Sequence, residues 1–167
     1  MNAKKRLNPG KLLVVAFMII VGAISSLAAS GSANAAPLPA SVSSVTVSGS
    51  SAAPTVTIQG VGFGAKPVGG VITGRIPGCG NGTFTGRDYP NGELWLLDTT
   101  VPWGAGYYSG PSSSNCVGLK IGVWTARKVV LHFGNSYGSF NWSLNNGDTL
   151  ALSVNGAPGF TTVSGLS

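Results

Sequence analysis

Charged side chains are scarce in this chain of 167 residues. The sequence has ten lysines and arginines, four aspartates and glutamates, and one histidine, so charged residues make up only 8% of it. Ordinary soluble proteins have roughly 25%. Most hydrolytic sites need paired acids, or an acid beside a histidine, and few such combinations exist here. Gly, Ser, Thr and Asn fill the polar positions instead, which is typical of an extracellular β-protein.

The N-terminal segment has the features of a secretory signal peptide. Residues 1–11 hold four basic residues and no acid, residues 12–29 are almost wholly apolar, and Ala33-Asn34-Ala35 follows. A basic region, an apolar region and a small-x-small site predict cleavage after Ala35. The alternative is an uncleaved anchor, although a run of 18 residues is at the short limit for a spanning helix. We expect a secreted, extracellular protein.

Removing residues 1–35 changes the charge argument. Six basic residues then stand against four acids, so the net charge falls from +6 to +2. Proteins that grip nucleic acid need clustered Lys and Arg, and Arg127-Lys128 is the one adjacent pair left in the mature chain. The sequence therefore predicts no nucleic-acid partner, and no membrane partner once the signal peptide is removed.

The mature chain has the pattern of one β-domain. Residues 36–41 form a short Pro/Ala/Ser spacer, and residues 42–167 are long enough for a single core. The predicted strands are 42–48, 55–59, 71–76, 93–98, 118–124, 127–133, 149–154 and 160–164. Seven or eight short strands with frequent turns predict an all-β, immunoglobulin-like β-sandwich. Residues 101–115 are predicted to be a loop.

The stretch TVTIQGVGFG at 55–64 places three glycines after a predicted strand. A phosphate-binding glycine run must open a helix, because the helix N-terminus holds the phosphates. The next residues, AKPVGGVITGRIPG, include two prolines and four glycines and predict no helix. We therefore interpret Gly60 and Gly62 as a bend at the end of a strand.

Residues 118–124 and 127–133 predict a β-hairpin. In the first strand, Leu119, Ile121 and Val123 are expected to share one face. Asn145-Asn146-Gly147-Asp148 is a strong turn signal, because Asn-Gly accepts positive φ, and Asp148 is expected to cap that turn.

Cys79 and Cys116 are the two cysteines of the chain. In a secreted protein they most simply form a disulfide, which would stabilise the fold by about 4 kcal/mol in the chain-entropy model. The alternative is a pair of free buried thiols. A zinc site needs more soft ligands than this sequence holds.

The segment VTVSGSSAAPTVTIQGVGFG at 45–64 resembles the opening of IPT/TIG domains of the secreted bacterial type. Further along, VWTARKVVL is similar to the hairpin of that family, and GDTLALSVNG to its closing strand. The resemblance implies an immunoglobulin-like sandwich in modules that mostly bind, space or link. The turn at 49–54 lacks the usual Pro-Gly, and residues 77–117 look like an insertion that contains both cysteines.

Candidate catalytic residues are few. His132 lies on a strand whose alternate residues are apolar, so its side chain is expected to face solvent or the second loop. Glu93 and Asp98 lie about 16 Å apart on an extended strand and on opposite faces of it, whereas glycosidase carboxylates are about 5–10 Å apart. Asp88 could join them only if its loop folds back. We predict no catalytic residue and a protein that is not an enzyme.

Aromatic loop residues are the main binding candidates. Trp103, Tyr107 and Tyr108 lie in a Gly/Pro/Ser-rich segment, and flat rings on a loop can stack on sugars or anchor a protein partner. The alternative is that these rings fold inward over one end of the sandwich. For Trp124 and Trp142 we favour the inward position.

Calcium is a weaker candidate. It needs six to eight oxygen ligands, and Asp88, Asn91, Glu93 and Asp98 could supply some of them. The EF-hand pattern D-x-[DN]-x-[DN]-G does not occur. We predict no metal and no cofactor.

The sequence leaves three functions open. The first is a secreted, non-catalytic interaction module that binds protein or cell-wall material. The second is a carbohydrate-binding module that contacts a cell-surface polysaccharide through its loop aromatics, with calcium as an aid. The third is a small hydrolase that uses carboxylates.

Overall fold

The structure is a computed structural model. It describes residues 38–71, 87–89, 92–106, 117–134 and 136–167. Ala36–Ser167 forms one compact unit. The predicted signal peptide at 1–35 lies outside the described residues and stays a prediction.

The described residues form ten antiparallel β-strands and no α-helix. The strands are β1 (Ser41–Ser50), β2 (Ala53–Val61), β3 (Gly70–Val71), β4 (Arg87–Asp88), β5 (Leu94–Asp98), β6 (Trp103–Ala105), β7 (Leu119–Trp124), β8 (Lys128–Phe133), β9 (Thr149–Val154) and β10 (Ala157–Thr162). One sheet has six strands in the order β1-β2-β8-β7-β4-β3, and the other has four in the order β10-β9-β5-β6.

The strand order is that of an immunoglobulin-like domain. With the two-residue strands β3 and β4 set aside, the sheets match the orders A-B-E-D and G-F-C-C′. Eight strands have three residues or more. The predicted immunoglobulin-like β-sandwich is therefore confirmed.

The core lies between the two sheets and follows the alternation of the strands. Val56 and Ile58 of β2 face it from the larger sheet, and Leu150 and Leu152 of β9 face it from the smaller one; each is at most 1% exposed. Side chains at the intervening positions point to the opposite side of each sheet, since strand side chains alternate with period two.

The glycine segment is a bend, as predicted. A Cβ on Gly60 would collide with the carbonyl oxygen of Ser41 and with the Phe63 ring, and Gly62 has a φ of +70°. These glycines let β2 leave the sheet and bring Phe63 back into the core, where it is fully buried. The described residues that follow, up to 71, contain no helix.

The predicted hairpin of β7 and β8 is confirmed, but the prediction for Val123 is wrong. The register shifts between Ile121 and Val123, so Gly122 is an extra residue in the strand. A β-bulge reverses the alternation beyond it. Val123 is therefore 41% exposed, and Trp124 packs against the core instead.

The predicted loop at 101–115 contains a strand in its first part. β6 pairs with β5, and Asp98 lies opposite Trp103. Asp98 closes the intervening turn, because its Oδ1 accepts the backbone N–H of Thr100 at 2.8 Å and of Val101 at 3.2 Å. Such a turn makes a short hairpin possible.

A second hairpin joins β9 and β10 through Asn155-Gly156. Both turn residues have positive φ, 47° and 83°, as a type I′ turn requires. This turn sets the register of the edge strand β10, and it places Phe160 opposite Ala151.

Candidate functional site

Trp103, the first of the predicted binding aromatics, is in the core. It is 1% exposed, and its ring meets Phe133 and Tyr137 edge to face at centroid distances of 5.8 Å and 5.7 Å. Its indole N–H donates to Asp98 Oδ2 at 3.2 Å. The expectation of a stacking surface at Trp103 is therefore wrong, because pairing with β5 turns the side chain inward.

The other predicted members of that site, Tyr107 and Tyr108, lie outside the described residues. So do Cys79 and Cys116, and the disulfide stays a prediction. Most of the predicted insertion at 77–117 is likewise outside the described part of the chain.

Tyr137 joins two loops at one end of the sandwich. Its ring stacks on Phe133 with a centroid distance of 4.6 Å. Its hydroxyl donates to the Ser51 carbonyl at 3.0 Å and accepts the Leu144 N–H at 2.7 Å. Burial raises the pKa of Tyr137, and the nearby Asp148 and Asp98 charges raise it further. With both contacts made to backbone, this hydroxyl has a structural role.

Asp98 is a structural carboxylate. Its side chain is fully buried, and its two oxygens accept the three N–H groups of Thr100, Val101 and Trp103. Burial raises its pKa, against the lowering effect of those hydrogen bonds. A carboxylate whose oxygens face N–H donors is a poor calcium ligand. Asp98 is thus neither the calcium ligand nor the hydrolytic acid considered from the sequence.

Asp148 and His132 also have hydrogen-bond partners within the fold. Asp148 is 6% exposed, and its Oδ2 accepts the Asn145 N–H at 2.6 Å, which confirms the predicted turn cap. His132 is exposed, as predicted, and its Nδ1 lies 3.3 Å from Thr55 Oγ1.

A small cleft lies beside the stacked rings of Phe133 and Tyr137. Its volume is about 250 Å³, below the roughly 300–1,000 Å³ of most small-molecule sites. Its lining residues are Ala52, Ala53, Pro54, His132, Phe133, Gly134 and Tyr137. With the Tyr137 hydroxyl already bonded to backbone, the cleft offers rings but few free polar groups.

The outer side of the four-stranded sheet carries a second group of aromatic and apolar side chains. Alternation places the members on the side away from the core, in rows across β10, β9 and β5. We call this group the aromatic face; its residues are Pro158, Ser153 and Trp95 in one row, and Phe160, Ala151 and Leu97 in the next. Phe160 is 71% exposed, and Trp95 and Leu97 are partly exposed.

A third row of hydroxyls adjoins the aromatic face. Thr162 pairs with Thr149, and Thr99 donates its N–H to the Thr149 carbonyl at 2.9 Å. All three threonines are exposed. None of the residues in the three rows is charged, so this surface combines rings, small side chains and hydroxyls.

Sequence reasoning missed the aromatic face, although a signal for it was present. Strands were predicted at 93–98 and 160–164, without an assignment of which side chains face outward. The dipeptide Asn155-Gly156 would have supplied the register, because a two-residue turn fixes which residues of β9 and β10 are opposite.

Among the described residues, no helix has the length and apolarity needed to cross a membrane. Within the same part of the chain, no three His, Cys, Asp or Glu side chains come together as metal ligands would.

A scan against models of protein families found no match, and searches of curated proteins and of solved structures found no similar protein either.

Proposed function

We propose that this protein is a secreted, non-catalytic binding module that contacts a macromolecule through the aromatic face. The observation that carries the proposal is Phe160, which is 71% exposed at the centre of strand β10. A large ring held outward on a sheet, on the same side as Trp95 and Leu97 of β5, is the kind of anchor that dominates binding surfaces.

The chemistry of the polar side chains supports a binding role over catalysis. Asp98 and Asp148 are occupied by turn N–H groups, and His132 is beside a threonine rather than a carboxylate. A general acid or base must reach a substrate proton, and the two buried aspartates are poorly placed for that.

Three finer features belong to the same proposal. The strand order is compatible with membership of the IPT/TIG group, which the segment at 45–64 resembles. The signal peptide at 1–35 would deliver the chain to an oxidising compartment, where Cys79 and Cys116 would pair. Tyr107 and Tyr108 remain candidates for further contacts.

The test is retention of the purified protein on cell-wall preparations and on insoluble polysaccharides, with two single variants. Phe160→Ala should weaken retention, because it removes the exposed ring of the aromatic face. Phe140→Ala is the matched control: Phe140 is also 71% exposed, but it lies in the loop between β8 and β9.

Equal retention of both variants and the wild type on every material would contradict the aromatic face as the contact surface. Hydrolysis of a polysaccharide that is lost in a folded Glu93→Gln variant would contradict the non-catalytic role.

A further inference from the structure

The partner class follows from three properties of the aromatic face, and the inference rests on the function proposed above. We propose that this surface binds a neutral polysaccharide chain. The three properties are its lack of charge, the separation of its two rings, and the hydroxyl row beside it.

The charges of this surface disfavour an anionic partner. Glu93, two residues before Trp95 and partly exposed, is the one acid at the margin of the three described rows. The rows from Pro158 to Trp95, from Phe160 to Leu97 and from Thr162 to Thr99 contain no acid and no base. Anionic polymers such as nucleic acids or acidic glycans are held by Lys and Arg, and basic partners need carboxylates. A neutral chain of hydroxylated rings loses no ion pair when it lies on this surface.

The geometry suits an extended chain of sugar rings. Trp95 lies in the row of Ser153, and Phe160 in the row of Ala151, so the two rings are two strands and two residues apart. Strand spacing and rise make this separation about 12 Å, comparable with the length of a disaccharide unit. Pyranose C–H groups can pack on aromatic faces, which carry the negative side of the ring quadrupole.

Two small side chains lie between the rings and are nearly buried. Ala151 and Ser153 are 4% and 6% exposed, and they lie on β9 between Phe160 and Trp95. Because both residues are nearly buried, a bound chain would contact mainly the larger side chains around them, Phe160, Trp95 and Leu97. The face has no deep enclosure of the kind that compact ligands need, so an extended polymer fits it better.

The threonine row supplies hydrogen-bonding groups for sugar hydroxyls. Thr162, Thr149 and Thr99 are exposed, and a threonine hydroxyl can donate and accept. The Thr99 hydroxyl donates to the Thr149 carbonyl at 3.1 Å, so toward a sugar it serves as an acceptor. Aromatic packing with hydroxyl partners at the edge matches a polymer whose faces are apolar and whose rim is polar.

The experiment compares binding of the protein to soluble neutral polysaccharides, such as a β-glucan, a xylan and a mannan, with binding to alginate and heparin as anionic controls. Affinity electrophoresis ranks the polymers, and calorimetry gives Kd for the best one. The variants are Phe160→Ala, Trp95→Ala and the control Phe140→Ala, with Trp95→Tyr as a milder change and circular dichroism as the folding check.

Binding to a neutral polysaccharide that weakens roughly tenfold in Phe160→Ala and in Trp95→Ala would support the inference, since losing one stacking ring has an effect of this order. Trp95→Tyr should keep most of the affinity, and Phe140→Ala should stay within about twofold of wild type, because its ring lies off the aromatic face.

Binding confined to the anionic polymers, or loss of binding in Phe140→Ala alone, would overturn the inference. If no glycan binds and sedimentation shows self-association that Phe160→Ala abolishes, the occupant is a second copy of this chain; the polysaccharide is then overturned while a contact role for the aromatic face stands. If Phe160→Ala changes no interaction at all, both proposals fail.

Discussion

The two sheets of the sandwich present different chemistry to solvent. The outer side of the six-stranded sheet is mainly polar, with Thr55, Thr57, Lys128 and His132 on β2 and β8, and it carries one apolar pair, Val123 with Val130. The outer side of the four-stranded sheet carries the aromatic face, with Phe160 and Trp95 and no charge in its rows.

This contrast separates residues that the fold needs from residues that it does not. A β-sandwich is held together by its inner faces, where Val56 and Leu152 are at most 1% exposed. Polar outer residues keep a sheet soluble at little cost to stability, as the larger sheet illustrates. The fold therefore does not require the exposed rings on the smaller sheet, and contact with a partner is the simplest explanation for them.

The largest expected effect tests whether the aromatic face is a surface rather than a second core. Trp103→Ala should lower the free energy of unfolding by about 3–5 kcal/mol, because it empties a core position. Trp95→Ala, on the outer side of the neighbouring strand, should cost less than about 1.5 kcal/mol. Chemical denaturation measures both. Equal losses would mean that the outer side of β5 is packed as tightly as the inner side.

A charge placed in the centre of each outer side should sharpen the contrast. Ala151→Asp puts a carboxylate at a position that is 4% exposed, among Phe160 and Leu97, and should cost about 2–4 kcal/mol of unfolding free energy. Thr57→Asp on the other sheet should cost less than about 1 kcal/mol. Thermal and denaturant unfolding of the two variants measures both losses of unfolding free energy. Similar losses would remove the distinction between the two outer sides.

The free energy of unfolding should depend on pH through Asp98, whose side chain is buried. Burial raises the pKa of Asp98, so the folded state holds its proton to higher pH than the unfolded chain does. The contribution of Asp98 to stability is therefore fully present below the unfolded pKa, near 3.8, and is lost as pH rises through the folded pKa.

The variant Asp98→Asn isolates this effect, because an amide does not titrate. The stability gap between wild type and variant should shrink as pH rises through the folded pKa of Asp98, in denaturant melts at a series of pH values. A gap that widens over this range would show that the ionised form is favoured in the fold.

The smallest expected effect concerns salt. Binding through the uncharged aromatic face should change by less than about twofold between about 0.05 M and 0.5 M NaCl, because salt screens charges and leaves ring packing largely intact. The His132 side of the molecule, with Lys120 and Lys128, would respond strongly if it held an anionic partner. A steep loss of affinity with salt would move the contact surface to that side.

The longer strands and the fold class were predictable from the sequence, because the alternation in β1, β2 and β8 is regular, whereas the short strands β4 and β6 were not predicted. The glycine spacing predicted the bend at Gly60, and the Asn-Gly turn signal predicted that Asp148 caps that turn. These features depend on neighbours in the chain, which the sequence displays directly.

The position of the aromatic residues was not predicted, because it depends on pairing between strands. Trp103 was expected in a loop, and it is inward because Asp98 closes a turn that lets β6 pair with β5. Val123 is outward because Gly122 adds a bulge. Trp95 on β5 and Phe160 on β10 share one surface because both strands pair with β9. No local sequence pattern contains that relation.

The last residues of the chain have a mechanical consequence. Leu166 bridges Gly49 in parallel with β1, Ser167 donates its N–H to the Gly49 carbonyl at 3.1 Å, and Ser51 donates to the Ser167 carbonyl at 3.2 Å. Tension applied between residue 38 and Ser167 would slide β1 and this terminal segment past each other, so these bonds would bear the load together instead of opening one after another. A module held at both ends would thereby resist pulling through this terminal segment.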